Sequence, residues 1–111
     1  MINIEKKDKV DVVTFSVEKL NANTIDKIKE EMGNLFDKSN AKVIIDLKGV
    51  EYIDSSGFAL FLTLHKAAKN NYGILKFVNP EPRVTEIFRT LRLHTVFEIY
   101  NDMDACLKSF R

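Results

Sequence analysis

The short run Val43-Ile44-Ile45-Asp46-Leu47 constrains this chain more than any other stretch. It is nearly continuously apolar, so it lacks the every-other-residue pattern of a strand with one face in water. It is also too short for a buried helix. It reads as a strand covered on both faces, the kind found in the middle of a sheet that contains parallel pairs. Such a strand needs packed layers above and below it, which the rest of the chain must supply.

The flanking patterns predict those layers. Ile2 and Ile4 alternate with polar residues, Lys7-Asp8-Lys9 makes a polar turn, and Val10 to Val17 is rich in β-branched residues, so the chain opens with two antiparallel strands. The alternation slips between Val12 and Val13, which predicts a bulge or a strand covered on both faces. From Asn23 the period changes. Ile25, Ile28, Met32, Leu35 and Phe36 recur every three or four residues, while Asp26, Lys27, Lys29, Glu30 and Lys38 face the other way. This is a helix that Asn21 or Asn23 can cap by accepting a hydrogen bond from a first-turn N–H.

After the central strand, a connection through Gly49 and Tyr52-Ile53 leads to Asp54-Ser55-Ser56-Gly57 and then to a helix from about Phe58 to Asn70. Its first half is apolar nearly all round (Phe58, Ala59, Leu60, Phe61, Leu62, Leu64), which predicts packing on several sides. Ile74 to Val78 is the next strand, stopped by Asn79-Pro80. Pro82 suits the first turn of a third helix, where its missing N–H is not needed. Val84, Ile87, Phe88 and Leu91 form that helix's inner stripe. Val96, Phe97 and Ile99 predict a last strand, and Asp102 or Asn101 caps a final helix that buries Cys106, Leu107 and Phe110. The order β-β-α-β-α-β-α-β-α predicts an α/β fold, one domain over residues 1–111, with a mixed sheet packed by helices through right-handed crossovers.

Composition narrows the function classes. Seventeen basic residues against sixteen acidic ones leave a net charge of +1, without the clustered basic excess of a nucleic-acid-binding face. Arg83, Arg89 and Arg92 share the third predicted helix, broken by Glu86, and read as a solvated face. The single cysteine, Cys106, permits neither an internal disulfide nor a cysteine metal site. No stretch approaches the ~20 apolar residues that span a bilayer, so no membrane insertion and a cytoplasmic location are expected. His65 and His94 have no carboxylate or cysteine at a metal-binding spacing. Glycines at positions 33, 49, 57 and 73 are too scattered to cradle a phosphate chain, and no nucleophile elbow or phosphate loop occurs. A non-enzymatic chain without a cofactor is the expectation.

That leaves the turn Asp54-Ser55-Ser56-Gly57. In isolation it is a helix start, with Asp54 or Ser55 as the cap. Two hydroxyls there have a second use. A phosphate on Ser55 would lie near free backbone N–H groups at the positive end of the helix dipole. It would also add about −1.5 to −2 charges at an exposed edge, repelling any partner that buries the turn.

The stretch from Val43 to Phe58 resembles the signature of bacterial anti-sigma factor antagonists, the STAS domain family: an apolar strand ending in Asp-Leu, a short connection with an aromatic, and D-S-S-G at a helix start. The resemblance extends over the β-β-α opening and the later Asn79-Pro80-Glu81-Pro82. It implies phosphorylation of Ser55 by a partner, an anti-sigma factor with serine kinase activity that brings the ATP. Unphosphorylated antagonist would bind that partner and release the sigma factor, and a PP2C-type phosphatase would reset the switch. By the same resemblance the partner surface comprises Leu20, Asn21, Asn23, Thr24, Asp54, Ser55, Ser56, Gly57 and Phe58. Glu18 stands where the family usually has glycine, Asn21 where it has aspartate, and Phe58-Ala59 where Leu-Gly is commoner. These departures bear on which partner is bound rather than on the fold.

Three other readings compete. The same fold could serve, without phosphorylation, as a subunit of a transport or signalling complex. A receiver-like domain phosphorylated on Asp54 would want acidic residues after its first strand, and here the opening strands end in Glu5 and Glu18. A hydrolase using Ser55 lacks a visible base.

Overall fold

A computed structural model describes residues 1–111 throughout and begins on the expected hairpin. Strands β1 (Ile2–Lys7) and β2 (Val10–Phe15) pair antiparallel without interruption from Ile2↔Phe15 to Lys7↔Val10. Asp8 and Lys9 both take positive φ, 50° and 69°, as the two central residues of a turn that matches the strands' twist. There is no bulge at Val12 and Val13. Both side chains are buried, one on each face of the sheet, which is why the alternation slips.

The chain continues through a two-residue strand β3 (Lys19–Leu20), helix α1 (Ile25–Met32), β4 (Lys42–Asp46), a two-residue β5 (Tyr52–Ile53), helix α2 (Ser55–Asn70), β6 (Ile74–Val78), helix α3 (Pro82–Thr90), a 3₁₀ turn (Leu93–Thr95), β7 (Glu98–Tyr100) and helix α4 (Met103–Lys108). The main sheet has the order β1-β2-β4-β6-β7, and every pair after the hairpin is parallel. β4, the apolar run, is the central strand. Val43 and Ile45 face one layer, formed with Ile25, Ile28, Phe58, Phe61, Val84 and Phe88 of α1, α2 and α3. Ile44 faces the other, with Val10, Val12, Val78 and Cys106, covered by Met103, Leu107 and Phe110 of the last helix and its end. The first layer is rich in aromatics: Phe77 lies 5.0 Å from Phe61 and 4.8 Å from Phe97, and Phe58 meets Phe88 edge-on at 5.6 Å. Each ring removed from water contributes on the order of 2 kcal/mol, with edge-to-face contact adding to it.

Several boundaries differ from expectation, each for a local reason. α1 stops at Met32 because Gly33 turns the chain with φ +57°, so Leu35 and Phe36 follow the helix, Phe36 still packing into the core. Neither Asn21 nor Asn23 caps it. Thr24 holds the cap position, and the Asn21 carboxamide oxygen instead accepts from the Asn23 N–H at 3.0 Å. α2 begins three residues early, at Ser55, because Asp54 caps it. Ala59 and Leu62 are exposed, so α2 is not packed all round. Leu91 follows the end of α3 and is 52% exposed, and Arg92 leaves the helix altogether in a left-handed conformation. Val96 and Phe97 precede β7 rather than belonging to it.

Other expectations hold. Pro82 occupies the first turn of α3. Asp102 caps α4 by accepting from the Ala105 N–H at 3.2 Å. Cys106 is fully buried, and burial pushes its thiol pKa up to about 11. His65 packs edge-on against Phe97 at 5.6 Å, and burial lowers its pKa, with Lys69 adding to the effect. No helix is long and apolar enough to cross a membrane.

Candidate functional site

Helix α2 is the crossover that follows β4, so its first turn lies at the carboxyl ends of the parallel strands. Two short strands hold that turn in place. β3 and β5 pair in parallel, Lys19↔Tyr52 and Leu20↔Ile53, and the Asp54 N–H donates to the Leu20 carbonyl at 3.0 Å. The loop before α1 and the start of α2 are therefore one piece of structure, although about 30 residues separate them in sequence.

Asp54 is the joint. Its Oδ1 accepts from the Ser56 N–H at 2.9 Å, the Ser56 hydroxyl at 2.6 Å and the Gly57 N–H at 3.3 Å. Its Oδ2 accepts from the Ala22 N–H at 3.2 Å, across the gap to the loop. These donors favour the ionised form. The Ser56 hydroxyl acts most strongly, and the carboxyl is held below its usual range despite an opposing effect of burial. Thr24 stiffens the loop from its other side, donating to the Lys19 carbonyl at 2.9 Å and accepting from the Asn21 N–H at 3.1 Å.

The two serines are thereby separated in role. Ser56 is half-buried and its hydroxyl is committed to Asp54. Ser55 is exposed at the first helical position, and its hydroxyl meets no protein partner at hydrogen-bonding distance. The supply of free N–H groups is smaller than the sequence suggests. Asp54 already takes those of Ser56 and Gly57, leaving that of Ser55 itself. A phosphate on Ser55 would add its charge directly beside an ionised carboxylate, offset in part by the helix dipole.

Of the nine residues expected at a partner surface, Asn23 and Ser55 are exposed, and Asn21, Thr24, Asp54 and Ser56 are half-buried. Leu20, Gly57 and Phe58 are buried and shape the surface from beneath. Gly57 lies so close to Leu20 and Ile53 that a Cβ would meet the Ile53 Cγ2 at 2.6 Å and the Leu20 carbonyl oxygen at 3.1 Å. Two features escape the sequence reading. Ala22 contributes a backbone donor, invisible in its side chain. Leu62 is 43% exposed and follows Ser55 and Ala59 at the i+4, i+7 spacing of one helix face. That spacing was the available signal.

Comparison with known proteins agrees with this architecture. The chain is 27% identical over 100 residues to an anti-sigma-B factor antagonist of Listeria monocytogenes, covering 90% of this chain and 88% of that protein. Its fold superposes on an anti-sigma-factor antagonist (STAS) domain protein from Planctomyces limnophilus with a TM-score of 0.90, at 22% identity and 97% and 96% coverage of the two chains. It also matches the anti-sigma factor antagonist SpoIIAA in its unphosphorylated form, with a TM-score of 0.79, 18% identity and 100% and 96% coverage. SpoIIAA of Bacillus has been solved in its phosphorylated form as well, which matches with a TM-score of 0.72, at 16% identity and full coverage of both chains. The family described as the STAS domain matches residues 1–106, nearly the whole length, and this chain belongs to it.

Proposed function

We propose that this protein is an anti-sigma factor antagonist switched by phosphorylation of Ser55. Unphosphorylated, it sequesters an anti-sigma factor that is also a serine kinase and so frees a sigma factor. Phosphorylated, it releases that partner until a PP2C-type phosphatase restores it. The observation that carries the reading is the division of labour in the turn: Ser56 is tied to Asp54, whereas Ser55 projects unpaired from a rigid, doubly anchored helix start. The relatives' names point the same way, as does the existence of one structural neighbour in both phosphorylation states.

The rigidity matters to the mechanism. Because β3, β5 and Asp54 already hold the turn, a phosphate need not reorganise it and acts by charge and bulk at the contact surface. A partner that buries the Ser55 hydroxyl and loses about 3 kcal/mol on phosphorylation loses more than a hundredfold in affinity. The four donors on Asp54 also argue against that carboxylate as the phosphoacceptor, since it is spent on structure.

Incubation with a cognate anti-sigma kinase and ATP, followed by peptide mass analysis, tests the proposal. One phosphate should appear on Ser55, persist in Ser56→Ala and vanish in Ser55→Ala. Ser55→Asp should bind the kinase about a hundredfold more weakly than wild type. Phosphate elsewhere, or unchanged binding by Ser55→Asp, would refute it.

A further inference from the structure

The largest cleft in the molecule, about 360 Å³, lies apart from the serine turn, where α3, the 3₁₀ turn and β7 meet. Thr85, Phe88 and Arg89 reach it from one face of α3, His94 from the 3₁₀ turn, Ile99 from β7 and Asn101 from the residue just after that strand. The volume is at the small end of the roughly 300–1,000 Å³ typical of small-molecule sites. The cleft runs along β7, the edge strand of the main sheet.

The lining has a consistent chemistry. It carries a guanidinium, an imidazole, a carboxamide and a hydroxyl, and no carboxylate. Arg89 takes part in none of the molecule's ion pairs. An unpaired arginine on a wet helix face is ordinary by itself. Arg83 lines a second cleft, but that one carries the carboxylates of Glu18 and Glu51, and Arg92 lines none. What distinguishes Arg89 is that three further polar side chains, none of them acidic, and an apolar floor meet it in one concavity. Ile99 supplies the accessible part of that floor, and Phe88, 1% exposed, backs it from beneath. Phe88 is buried and anchored edge-on by Phe58 and Phe97, so the floor is rigid.

We propose that this cleft binds a small organic anion, a carboxylate or phosphate monoester on an apolar body. Its charged head takes the planar fork of Arg89 and accepts hydrogen bonds from His94 and Asn101, while its body rests on Ile99, with Phe88 behind it. The guanidinium suits both head groups because it presents paired N–H donors at carboxylate or phosphate spacing. Imidazole donates from a ring nitrogen in either charge state. The site is independent of the serine switch and stands or falls separately from it.

Backbone amide NMR titration of the full chain tests this, using inorganic phosphate, phenyl phosphate and benzoate at constant ionic strength. Saturable shifts should centre on Thr85, Arg89, His94 and Asn101, with phenyl phosphate or benzoate binding at least about tenfold tighter than inorganic phosphate. The stronger of the two organic anions identifies the preferred head group. Arg89→Ala should weaken that binding at least about tenfold, Arg89→Lys less so, and Arg83→Ala not at all. Non-saturating shifts, shifts spread equally over Arg83 and Arg92, equal binding of inorganic phosphate, or indifference to Arg89→Ala would each overturn the proposal. A native amide spectrum for each variant shows that the fold is intact.

Discussion

Replacing Gly57 by alanine sets two effects of opposite sign against each other at the centre of the candidate site. Gly57 is in the first turn of α2 with an ordinary helical backbone, so helix propensity alone favours alanine by up to about 1 kcal/mol. Packing opposes it. The new methyl would sit 2.6 Å from the Ile53 Cγ2, 3.1 Å from the Leu20 carbonyl oxygen and 3.2 Å from the Leu20 Cβ. None of these is the loose end of a flexible chain. Cγ2 is fixed to the Ile53 Cβ, and both residues are buried in the β3–β5 pair. Overpacking against such neighbours costs about 2–3 kcal/mol. The net expectation is a loss of about 1–2 kcal/mol, or about 4–8 °C in Tm for a chain this size. Urea denaturation should show the loss as a lower midpoint with an unchanged slope. Ile53→Leu removes the methyl at the closest contact, so Gly57→Ala should cost markedly less in that background, with a coupling of at least about 0.5 kcal/mol. A Gly57→Ala protein that is more stable than wild type, or strict additivity with Ile53→Leu, would refute the claim that close approach of β3 and β5 dictates glycine here.

Three further outcomes follow from the same contacts. The Asp54 carboxyl is held below its unfolded value of about 3.9, so its ionised form stabilises the protein above that pH, and the contribution disappears as pH falls through the depressed folded value. Wild type should accordingly exceed Asp54→Asn in urea midpoint at pH 6, with the gap closing in strong acid. Cys106, fully buried with its pKa raised to about 11, should not react with a thiol reagent at pH 8 until denaturant is added, when one thiol per chain appears. Lys76 is buried beneath α4, with its Nζ 3.1 Å from Glu98 Oε2, 2.8 Å from Ser109 Oγ and 4.7 Å from the centre of the Phe110 ring. Because Glu98 stays 61% exposed and keeps its water, Lys76→Met should change stability by no more than about 1 kcal/mol in denaturant melts.

The sequence by itself determined the layers and the location of the candidate serine turn. The unbroken apolar run of β4 demanded cover on both faces, and the 3.6-residue stripes of α1, α3 and α4 supplied it. The Val12–Val13 slip left two readings of β2, a bulge or cover on both faces, and the structure decided for the second. Asp54-Ser55-Ser56-Gly57 before an apolar helix marked a helix start carrying two hydroxyls, because capping chemistry is local and depends on neighbours in the chain.

Tertiary structure decided what the sequence left open. Which serine is free depends on one side-chain hydrogen bond, from Ser56 to Asp54. That the loop before α1 belongs to the same surface depends on the β3–β5 pair and on the bond from the Ala22 backbone to Asp54. The exposure of Leu62, the departure of Arg92 from α3, and the cleft beside Arg89 likewise arise only when distant segments meet. Periodicity reports how a segment divides its residues between inside and outside. It carries no information about which other segment arrives to cover them, and the candidate surface of this protein is made where such segments come together.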